Sequence, residues 1–457
     1  MRDIQHYMRP GLLQLPSLPP LSLYIHLPWC IKKCPYCDFN SHESKGGLLS
    51  QGTEQRYLNA LIADLDAALP LIWGRPVHSI FIGGGTPSLF SPQSIDQLLG
   101  AVRARVKLDP DCEITMEANP GTFEKDRFKA FRAAGVTRLS IGVQSFNDEH
   151  LKALGRVHNS AQAQEAIAEA AINFEAFNLD IMYALPGQTL AQCEQDIRTA
   201  LSFKPPHISI YHLTIEPNTY FAKFPPQVPE DDTAYDMLDR IIELTAAQGM
   251  ARYEVSAFAK KGFQCWHNTN YWQFGDYLGI GAGAHSKLSF AHRVVRQVRA
   301  RDPQLYMDKA LGVATLPSAT SSDTATNSAA KSASTSTTST SHGIAALSSS
   351  GAVALKSAVP GAPNAEPVDA LGTIVQDVDV PRADLPFEYM LNALRLTDGF
   401  KLQDFSDRTG LPITAIQKGL AQAESKGLIE RDFVSVKPTT RGMDFLSDLQ
   451  SLFLADT

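Results

Sequence analysis

Cysteine is scarce in this chain of 457 residues, which contains only six, and that scarcity excludes a disulfide framework. Disulfide-dense folds are small secreted domains, whereas clustered cysteines in a long chain usually bind a metal. Three of the six fall within residues 30–37, and Cys112, Cys193 and Cys265 are scattered. Cys112 adjoins an apolar strand pattern and Cys193 lies in a helical one, so we expect both to be packing residues. The clustered three are therefore the candidates for chemistry.

The chain also lacks long apolar runs and an excess of positive charge. No apolar stretch approaches the roughly 20 residues of a membrane span. Residues 1–20 are interrupted by four prolines and have no apolar core of the signal-peptide type. The net charge is −7, and no basic run is interleaved with aromatic residues, which argues against a nucleic-acid partner. We therefore expect a cytoplasmic protein without a transmembrane segment.

Short apolar runs alternate with longer amphipathic ones over the first half of the chain. The runs of strand length are Leu21–Leu27, His78–Gly83, Glu113–Asn119, Arg138–Gln144, Phe177–Ala184 and His207–Ile215. Helical patterns between them cover Glu54–Leu69, Ser91–Val106, Phe123–Ala134, Ser160–Ile172 and Leu190–Phe203. This repetition predicts an α/β fold with a parallel sheet, and six repeats fit a partial (β/α)6 barrel of the TIM type. In such a barrel the chemistry lies in the loops that follow the strands.

The composition changes sharply after the barrel pattern. Residues 316–373 are rich in Ser, Thr and Ala and bury too little apolar surface to offset the entropy of ordering, so they predict a disordered insert. Four segments are expected: an N-terminal extension 1–20, a core 21–315, the insert, and a small, mainly helical C-terminal domain 374–457. Within the last segment we expect three helices, at Phe387–Leu396, Leu411–Ala423 and Gly442–Leu454. We also expect one hairpin, at Leu428–Val436.

The cysteine cluster has the spacing CxxxCxxC and follows the first predicted strand. Cys30, Cys34 and Cys37 can ligate three irons of a 4Fe–4S cube and leave one iron without a protein ligand, free to bind a cofactor. A structural zinc site with His26 or His42 as fourth ligand is the alternative, although zinc sites usually combine paired knuckles. Three buried thiols without a metal are a further alternative.

This loop, with an aromatic residue before its last cysteine, resembles the radical S-adenosylmethionine superfamily. The resemblance implies a 4Fe–4S cluster on the three cysteines and an exchangeable S-adenosylmethionine. A glycine-rich turn, Gly83 to Pro87, follows the second strand, where this superfamily binds the methionine ammonium. Without that context, three consecutive glycines would more often be a simple loop, since their main property is to permit close backbone approach.

Three polar residues stand late in otherwise apolar strands. They are Glu117, Gln144 and Asp180, and a carboxylate inside a buried strand is costly unless it has a partner. A buried ion pair or a loop cap explains any one of them, whereas three on adjacent strands predict a polar ligand surface. Carboxylates can accept both ribose hydroxyls, and Arg156 can pair with a carboxylate through two bonds.

Several blocks together resemble the oxygen-independent coproporphyrinogen III oxidase family over nearly the whole chain outside the insert. They include GGGTPS after the second strand, EANPG at Glu117 and LDIMYALPGQT at Asp180. Carried over by position, the resemblance implies that the following residues contact S-adenosylmethionine: Tyr24, Tyr36, Gly84, Gly85, Thr86, Glu117, Gln144, Arg156 and Asp180.

Two departures separate this chain from the oxidases of that family. Phe39 occupies the position of their fourth cysteine, and their extension before the first strand is longer. Both features, together with an HNxxYW block at 267–272 and further blocks at 276–286 and 387–400, resemble the heme chaperone branch of the family. That resemblance implies a protein that binds heme and passes it to an acceptor protein, here unidentified. The alternatives are the oxidase itself and a radical enzyme acting on another tetrapyrrole or a small substrate.

His267 is the candidate heme ligand. Imidazole is a common axial ligand of heme iron, and Trp266, Tyr271 and Trp272 have the shape to stack on a macrocycle. Cys265 is a further soft ligand nearby. The alternative is that this aromatic block is core packing against the barrel mouth.

Overall fold

The computed structural model describes residues 4–44, 49–122, 126–312 and 372–455. Six parallel strands lie side by side in chain order at the centre of a twelve-stranded sheet. The first strand is buried at every residue, as expected where helices cover a parallel sheet. The six strands, β1 to β6, are Leu21–Leu27, Val77–Gly84, Leu108–Ala118, Arg138–Gln144, Ala176–Tyr183 and His207–His212.

A helix follows each of the first five strands, as the sequence pattern predicts. These helices, α1 to α5, are Gln51–Ile72, Pro92–Arg103, Arg127–Ala134, Ser160–Asn173 and Leu190–Ser202. Four begin at residues whose side chains accept a hydrogen bond from the first turn, namely Ser50, Ser91, Asn159 and Thr189. The result is the expected partial (β/α)6 barrel, with the loops after the strands gathered at the carboxyl edge.

Further strands extend the sheet at both edges, and the sequence patterns did not predict them. Next to β1 lies β7, Asp276–Ile280, in parallel, and an antiparallel series continues from it. That series is β8, β9 and β10, at His285–Phe290, Arg293–Arg299 and Ile374–Asp379. Beyond β6 lie the short strands Ala257–Ala259 and Ala251–Arg252. Two helices connect this part of the chain: α6, Asp231–Ala246, and α7, Trp266–Trp272.

The two segments that flank the barrel core differ in what the structure describes. A short helix, Ile4–Met8, begins the described chain, and Tyr7 stacks on Phe290 with ring centroids 5.0 Å apart. Of the insert predicted at 316–373, all but the last two residues lie outside the described part of the chain. The strand β10 starts directly after them and pairs with β9 in the main sheet.

The C-terminal region is mainly helical, as expected. Its helices are Leu385–Ala393, Leu402–Thr409, Gln417–Ser425, Thr440–Asp444 and Leu446–Ser451. A three-stranded sheet consists of Phe400–Lys401, Ser435–Pro438 and Ile429–Arg431. The prediction of one helix over Leu411–Ala423 was wrong: Gly410 ends the preceding helix at φ 67°, and a 3₁₀ turn follows Pro412. Both residues favour a break over helix continuation.

Several contacts join this region to the barrel, among them the ion pair between Arg296 and Glu388 at 2.7 Å. Glu254 and Leu396 form an isolated antiparallel bridge, and the Thr397 amide donates to the Tyr253 carbonyl at 3.1 Å. Among the described helices, none has the length and apolar content needed to cross a membrane.

Candidate functional site

The cysteine loop leaves β1 at the carboxyl edge of the barrel. Cys30 ends a two-residue strand, Trp29–Cys30, that pairs in parallel with His42–Glu43. The Cys37 amide donates to the Cys34 carbonyl at 3.1 Å, which turns the loop back on itself. All three cysteines are half-buried and none is in a disulfide. The loop therefore presents three free thiols from one short, hydrogen-bonded segment.

Each of the three sulfur atoms has a polar side chain nearby. The Thr86 hydroxyl lies 3.5 Å from Cys30 Sγ, Arg156 Nη1 lies 3.6 Å from Cys34 Sγ, and the Ser41 hydroxyl lies 3.6 Å from Cys37 Sγ. Burial raises the pKa of the Cys30 thiol to about 11 and also raises that of Cys37. These thiols are protonated near neutral pH without metal, so a metal must displace their protons. Hydrogen bonds to thiolate sulfur are a usual feature of iron–sulfur sites, and these contacts fit that role.

His26 does not suit the zinc alternative. Its Nδ1 is 2.9 Å from the Tyr24 hydroxyl and its Nε2 is 2.9 Å from the Asn40 carbonyl oxygen. Both ring nitrogens are thus occupied by hydrogen bonds. Within the described ranges, no three His, Cys, Asp or Glu side chains are grouped to hold a single metal ion.

The glycine-rich turn packs directly on the cysteine loop. Gly84 has φ +114°, and a Cβ there would lie 2.5 Å from the His26 ring, while a Cβ on Gly85 would lie 2.5 Å from the Trp29 carbonyl oxygen. The amides of the turn are already used: Gly84 donates to Glu117 at 3.1 Å, Gly85 to Leu27 at 2.8 Å and Thr86 to Trp29 at 2.7 Å. A ligand ammonium group would need carbonyl oxygens of the turn, and those of Thr86 and Pro87 already accept from Leu89 and Phe90 at 2.9 and 3.0 Å.

Glu117 and Asp180 lie close together inside the barrel. Desolvation, and then the charge of Asp180, raise the pKa of Glu117 to about 8, so Glu117 carries its proton near neutral pH. Asp180 accepts hydrogen bonds from the Ser140 hydroxyl at 2.9 Å and from Asn178 at 2.8 Å. One carboxyl can donate and the other can accept, which suits a ligand with adjacent hydroxyls.

Gln144 and Arg156 both lie over Gly142 near the end of β4. A Cβ on Gly142 would be 3.2 Å from Gln144 Nε2 and 3.3 Å from Arg156 Nη2. Gln144 has φ +69°, and Arg156 Nη2 donates to the Gly142 carbonyl at 2.7 Å. Tyr36 belongs to the same group, because desolvation and the neighbouring Cys34 raise its pKa well above the usual value and Arg156 opposes that rise. Arg156 thus connects the cysteine loop to β4.

His267 is buried in the barrel interior on α7. Its ring centroid is 4.7 Å from that of Phe81 and 6.2 Å from that of Tyr24. Neither ring nitrogen has a hydrogen-bond partner, and burial lowers the pKa of the imidazole to about 4. His267 is therefore a neutral imidazole with an available lone pair, the form that ligates metals, but only 1% of its surface is exposed.

The aromatic residues around His267 divide into two groups. Tyr271 stacks on Tyr277 at 4.7 Å, and Trp272 packs under the Arg395 guanidinium at 4.3 Å. Trp266 is 44% exposed. Two of the three aromatics predicted to stack on a macrocycle thus take part in internal packing. The thiol of Cys265 is also buried, 3.5 Å from Glu113 Oε1.

Two interior residues were missed by sequence reasoning. Glu254 and Arg395 are almost fully buried and face each other at 3.8 Å. The available signal was a single charged residue in the apolar run from Met390 to Leu396. Nothing local to either residue indicates its distant partner.

Comparison with known proteins identifies the same two regions. The model of the radical SAM superfamily matches residues 24–200, and that of the HemN C-terminal domain matches residues 380–445. Among solved structures, coproporphyrinogen III oxidase (HemN) from Escherichia coli superimposes with a TM-score of 0.70, covering 99% of this chain and 98% of that one. Sequence identity with it is 19%, so this likeness supports the fold.

Curated relatives extend over nearly the whole chain. Heme chaperone HemW of Haemophilus influenzae is 40% identical over 444 residues, covering 97% of this chain and all of that protein. Heme chaperone HemW of Escherichia coli strain K12 is also 40% identical, over 96% of this chain and all of that protein. Membership of the radical SAM superfamily implies a 4Fe–4S cluster and S-adenosylmethionine. This chain belongs to the HemW family of radical SAM proteins.

Proposed function

We propose that this protein is a heme chaperone, which binds heme and transfers it to an acceptor protein while holding a 4Fe–4S cluster and S-adenosylmethionine. The observation that carries the proposal is His267, a buried neutral imidazole with both nitrogens unpaired, beside the Tyr24 and Phe81 rings. An unpaired polar group inside a protein is unusual and needs a partner. The names of the relatives at 40% identity supply the chemistry, because heme iron is a common partner of imidazole.

The cluster is assigned to Cys30, Cys34 and Cys37. The three thiols come from one loop, and each sulfur has a neighbouring polar group suited to a thiolate. When bound, a reduced cluster of this kind supplies an electron and S-adenosylmethionine supplies a reducible sulfonium.

The cofactor residues divide by chemistry. The carbonyl oxygens of Gly84 and Gly85 would accept hydrogen bonds from the methionine ammonium. The Thr86 hydroxyl donates to the Cys30 sulfur. Glu117 and Asp180 suit the ribose hydroxyls. The remaining four would complete the site around the methionine and adenine parts, namely Tyr24, Tyr36, Gln144 and Arg156.

Single Cys→Ala substitutions at 30, 34 and 37 test the cluster. After anaerobic reconstitution, each variant is expected to lose iron and the cluster absorption, whereas the control Cys193→Ala retains both, because Cys193 is buried in α5. Metal analysis separates the alternatives. Stoichiometric zinc in place of iron, or unchanged iron in all three variants, would refute the assignment.

Heme transfer tests the function itself. The reconstituted protein is titrated with heme and then mixed with a heme-free globin as the probe acceptor, and transfer is followed by absorbance. His267→Ala should weaken heme binding at least tenfold, because one axial bond is lost, whereas the control His78→Ala at the surface should not. Full heme affinity in His267→Ala would refute the proposal that His267 ligates the heme iron.

The oxidase alternative has its own assay. The reconstituted protein is incubated with coproporphyrinogen III, S-adenosylmethionine and a strong reductant. Protoporphyrinogen formed at catalytic turnover would make this protein an oxidase despite Phe39, whereas no product from protein shown to hold its cluster supports the chaperone.

A further inference from the structure

Arg395 is a buried cation in the barrel interior with no role so far. It follows the helix Leu385–Ala393 of the C-terminal region, and 2% of its surface is exposed. Its guanidinium lies 4.3 Å over the Trp272 ring, and its Nη2 lies 3.8 Å from Glu254 Oε2. The C-terminal region thus inserts one positive charge among residues of the barrel.

Part of the hydrogen-bonding capacity of this arginine is not used. Its Nε and Nη2 are buried and have no hydrogen-bond partner, and Glu254 Oε2 and Trp272 Nε1 have none either. The Glu254 oxygen is too far away for a hydrogen bond, although its charge offsets that of the guanidinium. Leaving such groups unpaired in the interior costs free energy for each one.

A second buried cation in the same molecule, Lys287, does have hydrogen-bond acceptors around its charged group. Lys287 donates to the Phe274 carbonyl at 2.8 Å, to Asp276 at 3.1 Å and to Ser289 at 3.3 Å. Lys287 therefore has three acceptors for its ammonium group, whereas Arg138, which is also buried, has one nitrogen, Nη1, without a partner. Arg395 keeps two adjacent N–H groups without acceptors.

The surroundings of Arg395 lead back to the cofactor residues. Tyr253 precedes Glu254 in the chain, and its hydroxyl lies 2.9 Å from His207 Nε2. His207 Nδ1 lies 2.6 Å from Asn178 Oδ1, and Asn178 donates to Asp180 at 2.8 Å. A series of hydrogen bonds thus runs from the residue next to Glu254, the partner of Arg395, to one of the carboxyls assigned to S-adenosylmethionine. Arg395 also adjoins Trp272, in the same short helix as His267.

We propose that Arg395 binds a propionate carboxylate of the tetrapyrrole, an inference that rests on the proposed heme function. Adjacent Nε–H and Nη2–H groups match the two oxygens of a carboxylate and form a bidentate pair. Glu254 is the positioning residue: at 3.8 Å it holds the guanidinium electrostatically without occupying those N–H groups. The guanidinium packs over the face of the Trp272 ring, which holds it in place.

The test compares heme with heme dimethyl ester, in which both propionates are uncharged. The dissociation constants of the two compounds are measured for the reconstituted wild type and for Arg395→Gln, Arg395→Lys and Glu254→Gln. The wild type is expected to bind heme about tenfold to a hundredfold more tightly than the ester, the range for a hydrogen-bonded charged pair. Arg395→Gln should bring the ratio close to one, because it weakens the binding of heme much more than that of the ester.

The other two variants separate binding from folding. Arg395→Lys should keep part of the preference for heme, since lysine retains the charge but loses the bidentate geometry. Glu254→Gln should still prefer heme, because the N–H donors remain. A purely structural pair predicts instead that Arg395→Gln and Glu254→Gln lower the melting temperature equally and leave the ratio unchanged.

Each outcome bears on a specific claim. An unchanged ratio in Arg395→Gln overturns the inference alone, and so does a wild type that binds heme and ester equally, which needs no variant to fold. A loss of S-adenosylmethionine affinity with the heme preference intact would assign the carboxylate to that cofactor and also overturn it. A wild type that binds neither compound overturns the proposed function itself.

Discussion

Replacing Gly85 with alanine should separate the glycine-rich turn from the cysteine loop. The added Cβ would lie 2.5 Å from the Trp29 carbonyl oxygen and 2.8 Å from the carbonyl carbons of Pro28 and Trp29. All three atoms belong to the backbone, so no flexible side chain can move aside. The turn must shift by most of an ångström, and two hydrogen bonds span this gap: Gly85 to Leu27 and Thr86 to Trp29.

The expected loss of stability follows from these contacts. Overpacking a tightly packed site costs about 1–3 kcal/mol. Weakening one of the two hydrogen bonds adds about 0.5–1.5 kcal/mol, which gives a total of about 1.5–4.5 kcal/mol in the free energy of unfolding. The shift also moves the Thr86 hydroxyl, which contacts Cys30 Sγ at 3.5 Å, so iron retention should fall as well.

Denaturant unfolding of the metal-free protein, followed by far-UV circular dichroism, measures the first effect, and iron content after reconstitution measures the second. Gly100→Ala is the matched control. Gly100 is exposed in α2 with nothing within 4 Å of its added Cβ, and alanine is the better helix former by about 1 kcal/mol. If Gly85→Ala unfolds at the same denaturant concentration as the wild type and retains its iron, the close packing inferred between the two loops is incorrect.

Two further predictions concern stability. Lys287→Met should lower the free energy of unfolding by about 1.5–3 kcal/mol, because Asp276 loses one buried hydrogen-bonded partner and keeps Arg75 at 2.9 Å. Arg105→Ala, at the exposed pair with Asp66, should change it by less than about 1 kcal/mol, and equal effects in urea unfolding would contradict this. Four histidines have pKa values lowered to about 4, mainly by burial: His26, His158, His267 and His285. These four histidines bind more protons in the unfolded chain than in the folded one between pH 4 and about 6.5, so each makes stability rise with pH across this window by up to about 1.4 kcal/mol per pH unit. The raised pKa values of Glu117, about 8, and Asp196, about 6, oppose this with two contributions against four, so the net change is still a rise. Unfolding measured at pH 5 and pH 7 tests this, and a flat profile would exclude it.

Much of the barrel could be predicted from the sequence because its determinants are local. The patterns at Leu21–Leu27 and Arg138–Gln144 predicted the bounds of those strands to the residue, since apolar residues predominate in strands that are buried on both faces. The antiparallel strand Arg293–Arg299 was not predicted, because it contains buried polar side chains. Arg299 is buried through its ion pair with Asp64, and nothing local to Arg299 shows that partner.

The candidate site divides in the same way. The sequence by itself determined that three cysteines stand on one loop after the first strand and that polar residues end several strands, since spacing and strand order need no tertiary information. Only the tertiary structure decided that His267 is buried against Phe81 with its nitrogens unpaired, and that Arg395 meets Glu254 and Trp272. Burial and distant pairing depend on how separate elements pack, and packing depends on shape and volume across the whole core rather than on any local pattern.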